Sequence, residues 1–270
     1  MCGPQTWAAL VEAGRVLGER LLYYRNRMLR GDDVADLQRE LGALGFDAGR
    51  VDGIFGPRTH AALCDFQRNT GITVDGIAGP ATLQMLARVS TRLETPEVVA
   101  ELRERERLRV APRTIHDRRV IVGEEGGLSA LVEALRRVLA RKGAVVMTQH
   151  DPDGSAQAAQ ANALTGDVYL GVRLEPDQKG CTTAYFVGYN GVSSEGGRRL
   201  AEIIQSIVPS ALGIEDRGAV GMRVPILRET RMPAVVMELG PAVVVVERAA
   251  EVAAAVGEAL TCWVSAPGAL

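Results

Sequence analysis

The second half of the chain alternates between short apolar runs and longer stretches with apolar residues at helical spacing. The short runs, rich in β-branched residues, predict strands at 119–122, 144–149, 167–175, 182–190 and 233–240. The longer stretches predict helices at 128–143, 156–164, 196–208 and 246–264. Strands that alternate with helices are typical of a largely parallel sheet covered on both faces, so this half predicts an α/β domain.

The first half carries a repeated string, Gly-Pro-x-Thr, ahead of apolar helical stretches. The string begins at Gly3, Gly56 and Gly79, and the last two copies follow an Asp-Gly turn. Proline at the first helical position loses only an N–H that had no partner, so each string marks a helix start. Three short helices at 32–45, 57–71 and 80–89 therefore predict a small all-α domain. Its expected core consists of Leu37, Leu41, Leu44, Phe46, Leu63, Phe66, Ile72 and Leu86.

The spacing of these strings resembles that of the peptidoglycan-binding repeat module. The matching positions that form the candidate glycan-binding motif are Asp52, Gly53, Gly56, Thr59, Asp75, Gly76 and Thr82. The alternative is that most of them build turns and helix starts and never contact a glycan, which is the ordinary role of such residues. The resemblance assigns residues 25–88 to this domain and residues 1–24 to the tail of a preceding copy.

Composition and charge exclude several classes of partner. The 33 acidic and 31 basic side chains give a net charge of −2, which predicts no affinity for nucleic acid. The four cysteines lack the paired spacing of a structural metal site or a disulfide framework. Neither a membrane-spanning apolar run nor a secretory signal is seen, so we expect a cytoplasmic protein. Residues 89–118 are charge-dense and predict a solvated linker, part of it at helical spacing.

Residues 119–265 resemble the zinc-dependent N-acetylmuramoyl-L-alanine amidase family, which cleaves the bond between muramic acid and the stem peptide. The closest match lies at 227–240 and reads LRETRMPAVVMELG. The family's version of this motif contains the catalytic acid/base glutamate, and the resemblance places that role on Glu238. It also implies a zinc ion held by two histidines and a glutamate.

The residues that the family uses to hold zinc are replaced in this sequence. The histidine expected after the first strand falls at Glu125, and the histidine expected at the end of the third strand falls at Arg173. A guanidinium stays protonated and offers no lone pair, so Arg173 would repel a divalent cation. We therefore predict no bound cofactor, although the resemblance implies zinc. Glu124 and Arg228 are predicted to line the same cleft, with Glu238 paired to Arg173 or Arg228.

Three functions are compatible with these features. The first is a pseudoenzyme of the amidase fold that acts by binding or regulation in cell-wall synthesis, as in an actinobacterial group of cytoplasmic proteins that this domain order resembles. Its partners would be peptidoglycan or muropeptide fragments, or a protein of cell-wall precursor synthesis. The second is an active amidase that hydrolyses the muramic acid–L-alanine amide bond. The third is a non-catalytic module that anchors the chain to peptidoglycan.

Overall fold

The computed structural model describes residues 15–90, 99–176, 179–188 and 193–265, which form two compact units. Of the described residues, those up to Arg103 belong to the first unit and those from Glu104 onward belong to the second. The predicted repeat tail at 1–24 lies mostly outside the described residues, and so does the part of the predicted linker at 91–98.

The first unit is a three-helix bundle with a small two-stranded sheet. Its helices are α1 (Asp32–Ala43), α2 (Pro57–Thr70) and α3 (Pro80–Ser90), and β1 (Leu22–Tyr23) pairs antiparallel with β2 (Ile77–Ala78). Proline opens α2 and α3, as the repeated string predicts. The predicted core is confirmed: Leu37, Leu41, Leu63, Phe66 and Leu86 are fully buried, and Leu44, Phe46 and Ile72 pack against them.

Helix α4 (Val99–Val110) lies within the predicted linker, and its second half belongs to the second unit. Glu104 Oε1 accepts hydrogen bonds from Ser194 Oγ at 2.7 Å and from the Gly196 N–H at 3.0 Å. Leu108 packs against the hydrophobic core of the second unit. This half of α4 is therefore a structural part of the α/β unit.

The second unit has six strands and six further helices among its described residues. The strands are β3 (Arg119–Glu124), β4 (Val145–His150), β5 (Val168–Leu174), β6 (Gly180–Phe186), β7 (Glu215–Met222) and β8 (Ala234–Gly240). The helices are α5 (Ser129–Arg141), α6 (Gly154–Ala163), α7 (Glu195–Leu212), α8 (Pro225–Glu229), α9 (Ala242–Glu247) and α10 (Ala249–Ser265).

The sheet has the strand order β4-β3-β5-β8-β6-β7, and all neighbouring pairs are parallel except β6 and β8. Along a strand, successive side chains point to opposite faces of the sheet. In β3, Val120 and Val122 join the core beneath α5, α7 and α10, whereas Ile121 joins the core beneath α6 and α8. The predicted α/β domain with a mostly parallel, doubly covered sheet is confirmed.

Strand β7 was not among the strands that the sequence pattern predicts. Its residues Glu215, Asp216 and Arg217 are exposed, and glycines interrupt it at positions 218 and 221. It lies at the edge of the sheet, where one side of the strand has no neighbour and a continuous apolar run is not needed. Within the described residues, no helix is both long and apolar enough to cross a bilayer.

Candidate functional site

The first motif copy in the helical unit is organised around the amide of Gln38. Gln38 Nε2 donates to Asp52 Oδ1 at 2.8 Å, to the Ile54 carbonyl at 3.0 Å and to Thr59 Oγ1 at 3.1 Å. Gln38 Oε1 accepts from the N–H groups of Asp52 and Gly53 at 3.0 and 2.9 Å. The amide therefore fixes the Asp-Gly turn and joins it to α1 and the start of α2.

The second copy repeats the same arrangement around Gln67. Gln67 Nε2 donates to Asp75 Oδ1 at 2.8 Å, to the Ile77 carbonyl at 3.1 Å and to Thr82 Oγ1 at 3.1 Å. Gln67 Oε1 accepts from the Gly76 N–H at 2.9 Å. The N–H of Ile77, followed by the amide of Gln67, lowers the pKa of the Asp75 carboxyl. The internal repeat is thus one hydrogen-bonded turn used twice.

The glycines of the motif serve the same turns. Gly53 and Gly76 have φ values of 72° and 68°, which favour glycine over any residue with a Cβ, and Gly56 is the N-cap of α2. Thr59 and Thr82 are buried. Most of the polar groups that resemble a glycan-binding motif are therefore used inside the unit.

In the second unit, Arg173 lies between two carboxylates at the C-terminal end of β5. It donates from Nε to Glu125 Oε2 at 3.1 Å and from Nη2 to Glu125 Oε1, and from Nη1 to Glu238 Oε1 at 3.1 Å. The side chains of Arg173 and Glu238 meet because β5 and β8 are neighbours and these two residues are direct partners in the register. The structure thus brings together three of the residues predicted for the cleft.

The charges in this cluster restrain one another. Its one guanidinium and two carboxylates sum to −1, and Glu238 is the most buried of the three, with 13% of its side chain exposed. The hydrogen bonds that Arg173 donates to the Glu125 carboxylate hold the pKa of Arg173 above its ordinary value. Arg173 therefore remains a fixed cation at every physiological pH.

Glu124 lies at the same end of the sheet but serves the backbone. It is buried, with 5% exposure, and its carboxylate accepts from the Leu128 N–H at 2.6 Å and from Ser129 Oγ at 3.0 Å. These bonds satisfy hydrogen-bond donors at the start of α5, which is the usual role of a carboxylate at a helix N-terminus. His150 Nδ1 lies 3.6 Å from Glu124 Oε1.

A buried hydrogen-bonded chain beneath the site was not foreseen from the sequence. Gln157 Nε2 donates to the Glu124 carbonyl at 2.9 Å, and Tyr169 Oη donates to Gln157 Oε1. Burial raises the pKa of Tyr169, so its hydroxyl keeps its proton. A Cβ on Gly123 would lie 2.0 Å from Tyr169 Oη, which explains the glycine. Tyrosine and glutamine on separate elements give no spacing signal in a sequence.

Arg228 Nη2 donates to Glu229 Oε1 at 2.8 Å. Ser155 Oγ donates a hydrogen bond to Glu229 Oε1 at 3.1 Å, and Asn162 Nδ2 donates to the backbone carbonyl of Glu229 at 2.8 Å. Arg228 thus helps to fix α8 against α6. Of the two arginines predicted as ion-pair partners of Glu238, Arg173 is the one that the structure pairs with it.

The residues at the strand ends do not fit a zinc ion. Zinc is bound by imidazole nitrogen, thiolate sulfur or carboxylate oxygen, and a catalytic site needs about three such ligands. Arg173 supplies none and engages both nearby carboxylates. In the part of the chain that the structure describes, no group of three or more His, Cys, Asp or Glu side chains is placed to hold a metal.

The fold and this site define a class of protein: a helical repeat module followed by an amidase-like α/β domain. Family models agree, with residues 30–86 matching a peptidoglycan binding domain and residues 120–249 matching N-acetylmuramoyl-L-alanine amidase. The chain therefore carries a peptidoglycan-binding domain followed by a domain of the N-acetylmuramoyl-L-alanine amidase family.

Two curated relatives illustrate the two parts. N-acetylmuramoyl-L-alanine amidase CwlM of Mycobacterium tuberculosis is 35% identical over an alignment that covers 88% of this chain and 66% of the relative. The spore cortex-lytic enzyme of Bacillus cereus is 48% identical over 60 residues, which are 22% of this chain and 23% of that enzyme. The matched stretches therefore span about two thirds of the first relative's length and about a quarter of the second's.

Two solved structures resemble parts of the fold. An N-acetylmuramoyl-L-alanine amidase from Clostridium difficile 630 matches 57% of this chain and 100% of its own, with 18% identity and a TM-score of 0.46. The SleB N-terminal domain matches 28% of this chain and 99% of its own, with 39% identity and a TM-score of 0.26.

Proposed function

We propose that this amidase-family protein recognises peptidoglycan or its fragments without cleaving the muramic acid–L-alanine amide bond. The observation that carries the proposal is the position of Arg173, whose guanidinium lies between Glu125 and Glu238 at the strand end. By the family resemblance, this is where a metal-binding histidine would stand.

Two chemical consequences support a loss of hydrolysis. A protonated guanidinium neither ligates a metal nor accepts a proton, so it cannot help to generate a hydroxide. Arg173 Nη1 also donates to Glu238 Oε1 at 3.1 Å, so this oxygen is already engaged in an ion pair. Glu238 acts in this proposal as a structural ion-pair partner.

The same cluster is suited to binding. Open α/β sheets bind ligands at the C-terminal ends of their strands, and Glu125 is exposed there with 39% of its side chain accessible. A net charge of −1 favours a ligand that carries an amino group, such as a stem-peptide fragment, over a second carboxylate. The peptidoglycan-binding domain in the first unit supports a ligand of the same class.

One experiment tests binding and hydrolysis together. The full chain is incubated with purified sacculi, with and without added zinc; the pellet measures binding, and mass spectrometry of the supernatant measures released stem peptides. We expect co-sedimentation and no release above a protein-free control in either condition. Release that disappears in the Glu238→Gln variant would contradict the proposal.

Amide hydrolysis remains the second candidate, favoured by the family model and by the amidase name of the mycobacterial relative. If it is correct, the sacculus experiment will show release that depends on Glu238. The cytoplasmic location and the protein partner in cell-wall precursor synthesis stay predictions of the resemblance. A pull-down from cell lysate with Arg173→Ala as a comparison would test whether any partner uses the strand-end cluster.

A further inference from the structure

The polar motif residues of the helical unit are engaged in its internal hydrogen bonds, so a ligand must be held largely by other side chains. Several large apolar residues near the N-terminal strand of this unit are exposed, including Leu21, Tyr23, Tyr24 and Met28. Two of these are tyrosines, with 39% and 46% exposure, in a chain that contains only five tyrosines. Exposed aromatic side chains that are neighbours on one small unit indicate a contact surface.

The rings of Tyr24 and His60 form a pair on this surface. Their centroids lie 5.9 Å apart with an interplanar angle of 37°. His60 is held against the Asp75–Gly76 turn: a Cβ on Gly76 would lie 2.2 Å from its Cε1, so only glycine leaves room for the ring. The position of the imidazole is therefore fixed by the same turn that Gln67 organises.

Tyr23 borders the same turn from the neighbouring strand. It is the direct partner of Ile77 in the β1–β2 pairing, one residue after Gly76. Leu22, between the exposed residues on either side, is fully buried and anchors the strand to the core. Tyr23 therefore lies on a strand that is tied to the bundle, and Tyr24 is the residue that directly follows this strand.

We propose that Tyr23, Tyr24 and His60 form a stacking site for the N-acetylated sugars of a glycan strand. This inference rests on the proposed function and adds to it the side chains and the part of peptidoglycan that they contact. A pyranose ring presents C–H groups on its faces and hydroxyl groups at its edges. An aromatic ring with a polar edge matches that pattern, since its face is apolar and its hydroxyl is a hydrogen-bond donor and acceptor.

The chemistry of the site favours a neutral ligand. The phenol rings offer apolar faces to a ligand, and such faces match the C–H face of a sugar ring better than a charged group. Two adjacent tyrosines and one imidazole can cover one or two sugar rings, which agrees with the low aromatic content of 4%. A stem peptide, by contrast, carries charged groups that these rings do not match.

The test measures sacculus affinity of the full chain by co-sedimentation at varied sacculus concentration. We expect Tyr24→Ala and Tyr23→Ala each to weaken binding by about five- to tenfold, the usual effect of removing an aromatic anchor. Tyr24→Phe should bind nearly as well as the unsubstituted chain because the stacking face remains. Val243→Ala, which removes an apolar side chain of 56% exposure in the other unit, is the matched control and should leave affinity unchanged.

A competition arm separates the sugar from the peptide. Chitotetraose, an N-acetylglucosamine tetramer without a stem peptide, should displace the unsubstituted chain and the Tyr24→Phe variant from sacculi. Far-UV circular dichroism should show all variants folded, as expected for exposed positions. Unchanged affinity in both alanine variants, or displacement by stem peptide alone, would overturn the stacking site and leave the proposed function standing. If the unsubstituted chain does not sediment at all, both are wrong.

Discussion

At the scale of single residues, one arginine decides the chemistry of the strand ends. Arg173 forms ion pairs with Glu125 on a loop and with Glu238 on the neighbouring strand. Carboxylates from two different elements therefore hold this cation in the site. A mobile ion would have to compete with a side chain that is covalently attached and already hydrogen-bonded. In the proposed function, the guanidinium stands where the family resemblance implies a metal ligand and offers no lone pair of its own.

Replacing this arginine by histidine should create metal affinity. In Arg173→His, Glu125 and Glu238 lose their cation and stand beside an imidazole, which gives three groups of the kind that bind zinc. We expect zinc affinity at least about tenfold above that of the unsubstituted chain, measured by competition with a chromophoric chelator. Arg173→Lys keeps the charge and should show no gain. Equal affinities in all three proteins would mean that the guanidinium is not what excludes the ion.

How far this cluster can be predicted from the sequence depends on the sheet. The chain order identifies Arg173 and Glu238 as candidates, but it leaves Arg173 and Arg228 as equal partners for the glutamate. The choice requires the knowledge that β5 lies beside β8, and this strand order comes from long-range packing. Glu124 shows the same limit, because it is buried whereas Glu125, the next residue in the sequence, has 39% of its side chain exposed.

At the scale of elements, the repeated turn joins the helices of the helical unit to one another. Gln38 and Gln67 are buried at 1% and 0% exposure, and each amide joins two helices through the turn between them. A buried amide with all its hydrogen bonds made is worth little by itself, but removing it leaves several buried donors and acceptors without partners.

Gln38→Ala should therefore lower the free energy of unfolding of this unit by at least about 2 kcal/mol. The variant loses the acceptor for the Asp52 and Gly53 N–H groups and the donor to Thr59. Gln84→Ala, at an exposed position of α3, is the control and should change stability by less than about 0.5 kcal/mol. Urea titration followed by circular dichroism measures both. Similar midpoints for the two variants would show that the network is not what holds the turn.

Helix α4 offers a second prediction at this scale. Glu104→Ala removes the carboxylate that accepts from Ser194 Oγ and the Gly196 N–H, so we expect the thermal stability of the α/β unit to fall by about 1 kcal/mol. Glu106 lies on the same helix but pairs only with Arg109 in its own turn, so Glu106→Ala should have no measurable effect. Calorimetry separates the two. If both variants unfold like the unsubstituted chain, the contact contributes nothing to stability.

The sequence predicts elements well where the apolar pattern is strong and poorly where it is not. Strands β3, β5 and β8 lie inside the sheet, are mostly buried and carry apolar runs, and all three are predicted. Edge strand β4 is predicted as well, because it begins with the apolar residues Val145, Val146 and Met147. Edge strand β7 exposes Glu215, Asp216 and Arg217, so its hydrophobic signal is lost. The contribution of α4 is hidden for a different reason: its charged residues predict a solvated helix, and only the structure shows that Glu104 has a partner.

At the scale of the whole molecule, the two units have separate hydrophobic cores. One core is built around Leu37, Leu63 and Phe66, and the α/β unit has one core on each side of its sheet, with no residue common to the two units. Cores that share no side chain can unfold independently, as domains within one chain often do.

Calorimetry of the full chain should therefore show two unfolding transitions that respond to different substitutions. Leu170→Ala removes a fully buried side chain from the α/β unit and should lower the stability of that transition by about 2–5 kcal/mol. Gln38→Ala should move only the other transition, and the double variant should show both shifts unchanged because distant sites add. A single transition that both substitutions move would mean that the units unfold as one, and their separate cores would then be no guide to the protein's cooperativity.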